Sequence, residues 1–155
     1  MRFPVAPSPA DALGSGDAER PLAAPDLTPE ATVLYVEDNA SNVALMERLL
    51  RSRPGIRLIP AGEGGLGIDL ARQHRPDVVF LDLNLPDLSG GDVLARLRAD
   101  PATAGLYVVI LSADAAGAQV RRMLDAGADD YLTKPFEVNA FLAVIDRALQ
   151  GRQSP

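Results

Sequence analysis

The sequence predicts an α/β fold: a doubly wound, five-stranded parallel sheet whose strands alternate with five helices. Three observations carry this. From Thr32 onward, short apolar runs alternate with stretches of helical spacing. The first, third and fourth runs are continuously apolar, as strands covered on both faces require. The connections between elements are short, which favours right-handed crossovers and helices on both sides of one sheet.

The elements follow in order. Thr32-Val33-Leu34-Tyr35-Val36 is β-branched and aromatic, suits a covered strand, and ends in Glu37-Asp38. Val43, Leu45, Met46, Leu49 and Leu50 then recur at helical spacing until Pro54-Gly55 stops them. Residues 56–59 read as a second strand. Residues 64–74 read as a helix with Leu66, Ile68 and Leu70 facing inward, ended by Pro76. Residues 77–82 form the third strand, and Val93, Leu94 and Leu97 mark a helix closed before Pro101. Residues 106–111 form the fourth strand, and Val120, Met123 and Leu124 carry a helix to Gly127. Residues 129–132 make a short fifth strand, and Phe141, Leu142, Val144, Ile145 and Leu149 a last helix.

Residues 1–30 differ from all this. Six prolines are interleaved there with alanines, Gly14, Ser15, Gly16 and scattered acids, without apolar periodicity. Such a segment has little surface to bury against its ordering entropy, so it is expected to be a disordered tail. Residues 31–150 are then one domain, with 151–155 a flexible end.

Composition narrows the function. A net charge of −6 argues against a phosphate-backbone binder, which needs a basic face. The absence of cysteine excludes disulfides and thiolate metal sites. No apolar run approaches bilayer length, and the first residues lack the apolar core of a secretion signal. A cytoplasmic protein without membrane or nucleic-acid partners is the expectation.

A doubly wound sheet binds its ligand at the carboxyl ends of its strands. Strand one ends in Glu37-Asp38, strand three in Asp82, strand four is followed by Ser112, and strand five by Thr133-Lys134-Pro135. Three acids, one hydroxyl and one ammonium are therefore expected on one rim. Gathered carboxylates repel unless a cation neutralises them, and a hard divalent ion with oxygen ligands, such as Mg²⁺, is the natural solution. Lys134 and Ser112 would face a bound phosphoryl group as point charge and hydrogen-bond donor. The composition suggests phosphoryl transfer.

Val36-Glu37-Asp38-Asn39, Leu81-Asp82-Leu83-Asn84-Leu85-Pro86, Leu111-Ser112-Ala113 and Leu132-Thr133-Lys134-Pro135-Phe136 resemble, in order, the motifs of response-regulator receiver domains. The separations also agree: 44 residues from Asp38 to Asp82, 30 from Asp82 to Ser112 and 52 from Asp82 to Lys134. The resemblance covers the chain beyond the tail and implies the flavodoxin-like, CheY-like strand order 2-1-3-4-5. It implies Asp82 as the phosphoacceptor. Mg²⁺, with Mn²⁺ as substitute, would be bound by Asp38, Asp82 and the backbone carbonyl of Asn84, with Glu37 acting largely through water. Lys134 and Ser112 would contact the phosphoryl oxygens. Tyr131 would turn inward as Ser112 shifts, and Pro135 would follow a cis peptide bond.

The resemblance also implies partners: a sensor histidine kinase or a histidine phosphotransfer protein upstream, and an unidentified protein target downstream. The output surface would be the fourth helix, fifth strand and fifth helix, residues 115–149, with a homodimer through that face as a further expectation. The chain would be a signalling phosphoacceptor rather than an enzyme, assisting only its own phosphorylation and dephosphorylation. Two features depart from the family pattern or tune it. Ser89-Gly90-Gly91 carries an extra glycine, which predicts a loose start to the third helix. Asn84 and Asp114 are polar at positions that bias phosphoryl lifetime, which predicts a lifetime of minutes.

Other readings weigh less. An aspartyl-phosphate hydrolase needs a second acid two residues after its nucleophile, where this chain has Asn84, and a cap domain, which is not encoded. A receiver-like scaffold that is never phosphorylated would not need the full set of acids with Lys134. Nothing after Leu149 is expected to form a DNA-binding domain. His74, beside Arg75-Pro76 at a helix end, reads as a surface residue rather than a phosphodonor.

Overall fold

The computed structural model describes residues 31–113 and 117–153; the N-terminal tail, Asp114 with the next two residues, and residues 154–155 lie outside them. Within the described residues, β1 (Ala31–Val36), β2 (Ile56–Ala61), β3 (Val78–Asp82), β4 (Tyr107–Ser112) and β5 (Asp130–Thr133) form one sheet in the order β2-β1-β3-β4-β5. Every pairing is parallel. The helices are α1 (Ala40–Leu49), α2 (Gly64–His74), α3 (Gly90–Ala99), α4 (Ala118–Asp125) and α5 (Val138–Gln153). A single 3-10 turn, Leu50–Ser52, extends α1. The strand order is the expected one, and α5 runs on past residue 150 to Gln153.

Because strand side chains alternate between faces, the continuously apolar strands feed two cores. Val33, Tyr35, Phe80, Val109 and Leu111 pack on one face with Met46 of α1 and Phe141, Val144 and Ile145 of α5. Leu34, Val36, Val79, Leu81, Val108 and Ile110 pack on the other with Ile68 of α2 and Val93, Leu94 and Leu97 of α3. β2 is an edge strand, which is why Pro60 can stand in it opposite Tyr35.

Two expectations about the helices are corrected. Leu66 does not face inward; it is 45% exposed, and the buried residues of α2 are Gly64, Gly67, Ile68 and Ala71. The helix lies too close to β1 for a leucine: a Cβ on Gly67 would stand 2.9 Å from Val36 Cγ2. Leu45 and Leu124 are likewise on the outside of their helices. Nor does α3 start loosely. The Ser89 hydroxyl accepts from the Asp92 N–H, the Gly90 N–H donates to the Leu83 carbonyl at 3.0 Å, and Gly90 is pressed against the Leu83 backbone.

Arg98 of α3 ties down the end of the sheet opposite the acidic rim. Its guanidinium donates to the carbonyls of Ala104, Leu106 and Gly127 and to the Asp129 carboxylate, which in turn accepts from the Val108 N–H. The chain segments entering β4 and β5 are thereby fixed to one side chain.

Candidate functional site

Strand register brings the chemistry together. Val36 pairs with Leu81, Asp82 with Leu111 and Ser112 with Thr133, so β1, β3, β4 and β5 finish at one rim. There Glu37 and Asp38 follow β1, Asp82 closes β3, Ser112 closes β4, and Lys134 follows β5. Glu37, Asp38 and Asp82 each present a carboxylate oxygen within 4.8 Å of the others. Glu37 and Asp82 are buried, at 2% and 6% exposure, as is Ser112, whereas Asp38 is open to solvent.

The Lys134 ammonium donates to Glu37 Oε1 at 3.0 Å and to Asp82 Oδ2 at 3.2 Å. Its backbone N–H donates to the Ser112 carbonyl at 2.7 Å, and its bond to Pro135 is cis. Asp82 Oδ1 accepts from the Asn84 N–H at 3.2 Å. Tyr131 lies opposite Ile110, on the sheet face shared with Ser112, and its ring is outward at 37% exposure. His74 is exposed at the end of α2, as expected.

The two buried acids divide unequally. Burial alone would raise Glu37, but hydrogen bonds from Lys134 and with Asp82, the Lys134 charge and the Asn39 N–H more than offset it, holding Glu37 below its ordinary value. Asp82 is raised, first by burial and then by its contact with Glu37; the Asn84 N–H and Lys134 offset this only in part. Burial would lower Lys134, yet its two carboxylate partners raise it, so it stays an ammonium. Burial, with help from Glu37, pushes the Tyr35 phenol up strongly and keeps its hydroxyl a donor.

Three clustered carboxylates share a single ammonium, so the pocket is richer in acids than in cations. An oxygen-only donor set of this kind suits a small, hard divalent cation. The residues present therefore fit the metal that the motifs imply.

Sequence reasoning missed three supporting residues. Tyr35 and Asn42 both donate to Glu37 Oε1, and Asp87 accepts from the Gly64 and Gly65 N–H groups at 2.7 and 2.9 Å, capping α2 from the loop after β3. The helical spacing of Asn42 and the turn composition around Asp87 were visible, but their partners are distant in sequence. Beside the acids, Tyr35, Asn42, Leu45, Met46, Leu49, and Lys134 to Phe136 line a mostly apolar groove of about 270 Å³.

An open parallel sheet with an acid cluster, a hydroxyl and a lysine on its carboxyl rim defines the receiver class of signalling domain. The chain belongs to the response regulator receiver domain family, which matches residues 33–146. It is 40% identical over 119 residues to the transcriptional regulatory protein KdpE of Mycobacterium tuberculosis, covering 77% of this chain and 51% of KdpE. It is 33% identical to the polar-differentiation response regulator DivK of Brucella anthropi, covering 74% of this chain and 92% of DivK. The chain thus spans about half the length of KdpE but nearly all of DivK. Among solved structures, the receiver domain of sensor histidine kinase PA1611 from Pseudomonas aeruginosa, with magnesium coordinated in its active-site cleft, matches with a TM-score of 0.71 at 30% identity. That match covers 77% of this chain and 98% of that one. A Francisella response regulator receiver domain matches with a TM-score of 0.73 at 26% identity, covering 80% of this chain and all of that one.

Proposed function

We propose that the chain accepts a phosphoryl group on Asp82 in a Mg²⁺-dependent reaction and signals the change through protein contacts. One observation carries the reading: Lys134 joins Glu37 and Asp82 beside Asp38, so an anion-binding cation and a cation-binding acid cluster occupy one pocket. Asp82 Oδ attacks phosphorus, forming an acyl phosphate as the bond to the donor's leaving group breaks. Lys134 then turns from the carboxylates toward the phosphoryl oxygens, and Ser112 donates its hydroxyl to them. Glu37, Asp38, Asp82 and the Asn84 carbonyl would hold Mg²⁺, which supplies charge neutralisation of the phosphoryl group. Mn²⁺ would substitute.

The donor is a phosphohistidine protein, either a sensor kinase or a phosphotransfer domain. The apolar groove between α1 and Phe136, opening beside Lys134, gives such a partner a surface to dock on while its histidine reaches Asp82. Output runs through α4, β5 and α5, where Tyr131 stands outward before the signal and turns in as Ser112 moves. That face serves a downstream protein or a second copy of the chain. The chain works in the cytoplasm and is no enzyme toward other substrates. No described helix is long and apolar enough to cross a membrane.

Intact-mass measurement after incubation with Mg²⁺ and acetyl phosphate tests this. A gain of one phosphoryl group is expected, lost in Asp82→Asn and in chelator. No gain in the wild-type chain would leave a receiver-like scaffold as the better reading.

A further inference from the structure

Glu37 is almost inaccessible, yet four donors converge on it. Three crowd one oxygen: Lys134 Nζ at 3.0 Å, the Tyr35 hydroxyl at 3.2 Å and Asn42 Nδ2 at 3.3 Å all reach Oε1. Oε2 receives the Asn39 N–H at 3.3 Å. An ionised carboxylate has about four lone-pair sites over its two oxygens, so Oε1 is filled while Oε2 keeps accepting capacity.

The donors also differ in how firmly they are held. Lys134 is shared with Asp82 and sits on a flexible four-carbon stem. Tyr35 is 2% exposed within β1, its ring in the core with Met46 and Phe80. Asn42 lies in the first turn of α1, where the Asn39 side chain accepts from its backbone N–H at 3.2 Å. When Lys134 turns toward a phosphoryl group, Oε1 would be left with Tyr35 and Asn42. Without them a buried carboxylate would lose most of its donors, which is costly, and its side chain would be free to exchange its oxygens.

We propose that Tyr35 and Asn42 are positioning residues that pin Glu37 by Oε1, leaving Oε2 as the oxygen open to the cation or its water, and that hold it there when Lys134 leaves. The inference rests on the phosphoacceptor reading of the site. Outer partners that orient metal ligands typically change affinity by about 10-fold or more when removed.

The test uses the full chain with Tyr35→Phe and Asn42→Leu, singly and together, and reads Mg²⁺ binding by calorimetry beside thermal unfolding in chelator. Tyr35→Phe removes only a hydroxyl, and Asn42 is partly exposed, so either variant keeps the measurement open if the other is poorly folded. The expected result is a Mg²⁺ dissociation constant raised about 10-fold in the double variant. Acetyl phosphate labelling is expected to show a lower maximal rate at unchanged KM for the donor. In a Lys134→Ala background the same two substitutions should weaken Mg²⁺ binding several times more than they do beside Lys134. An unchanged dissociation constant, with only the melting temperature lowered, would reduce both residues to structural hydrogen bonding and overturn the proposal. Equal losses with and without Lys134 would overturn the claim that they take over from it. A wild-type chain that binds no Mg²⁺ would instead sink the reading of the site itself.

Discussion

The Lys134 ammonium lies 3.2 Å from Asp82 Oδ2 across a gap of 52 residues in sequence, and it divides its charge between Asp82 and the better-donated Glu37. Asp82 is consequently the under-compensated acid of the pair, and its carboxyl is raised from 3.8 by burial and by Glu37. A raised acid favours its neutral form in the fold. It costs nothing below pH 3.8, where it is protonated folded or unfolded, and destabilises as pH climbs through its folded value. Asp82→Asn copies the neutral form at every pH. In chelator near neutral pH it should be more stable than the wild type by about 1 kcal/mol, roughly 3 °C in melting temperature. Scanning calorimetry across pH should show the gap closing in acid, and added Mg²⁺ should narrow it by stabilising the wild type. A less stable Asn variant at neutral pH would contradict this account.

Lys134→Ala acts in the opposite sense. It strips the shared cation from two buried carboxylates and should cost about 3 kcal/mol in metal-free urea unfolding at neutral pH. Labelling of Asp82 should fall with it.

Gly90 tests the geometry behind Asp82. A Cβ there would stand 2.7 Å from Leu83 Cα and 2.9 Å from the Asp82 carbonyl oxygen, so backbone has to move. Gly90→Ala should destabilise by about 1–3 kcal/mol, read by urea unfolding. It should also slow labelling, because the displaced segment carries both Asp82 and Asn84. Gly62, with nothing within 4 Å of an added Cβ, makes the matched control.

Asp87 gives a second pH signature. The Gly65 and Gly64 N–H groups hold its carboxyl below 3.8. A lowered acid contributes stability that is present above pH 3.8 and lost as pH falls through its folded value. Asp87→Asn should therefore melt below the wild type at neutral pH, and the two curves should converge in strong acid. Parallel curves at all pH values would show that the carboxylate does not cap α2.

The fold was legible because strand burial on both faces writes itself as unbroken apolar runs: the runs ending at Val36, Asp82 and Leu111 all fall on observed strands. The first-rank site residues were legible for a related reason, since each stands at the end of a strand. Helix faces were read less well. Leu66 matched the inward spacing by type, but the spacing between α2 and β1 is set by Gly67 against Val36, and a sequence pattern that scores apolar character gives glycine no weight. Tyr35 was read correctly as a strand residue, and its second role escaped because it depends on where Glu37 turns after the strand ends. Asp87 escaped because a cap supplied from another loop leaves no local signature, unlike Asn39 and Ser89, which precede the helices they cap.

The guanidinium of Arg98 moors the incoming ends of β4 and β5 to α3. With their starts tethered, neither strand is free to slide along the sheet. The register that places Ser112 and Lys134 at the far ends of these strands is therefore held in part from the opposite end of the sheet.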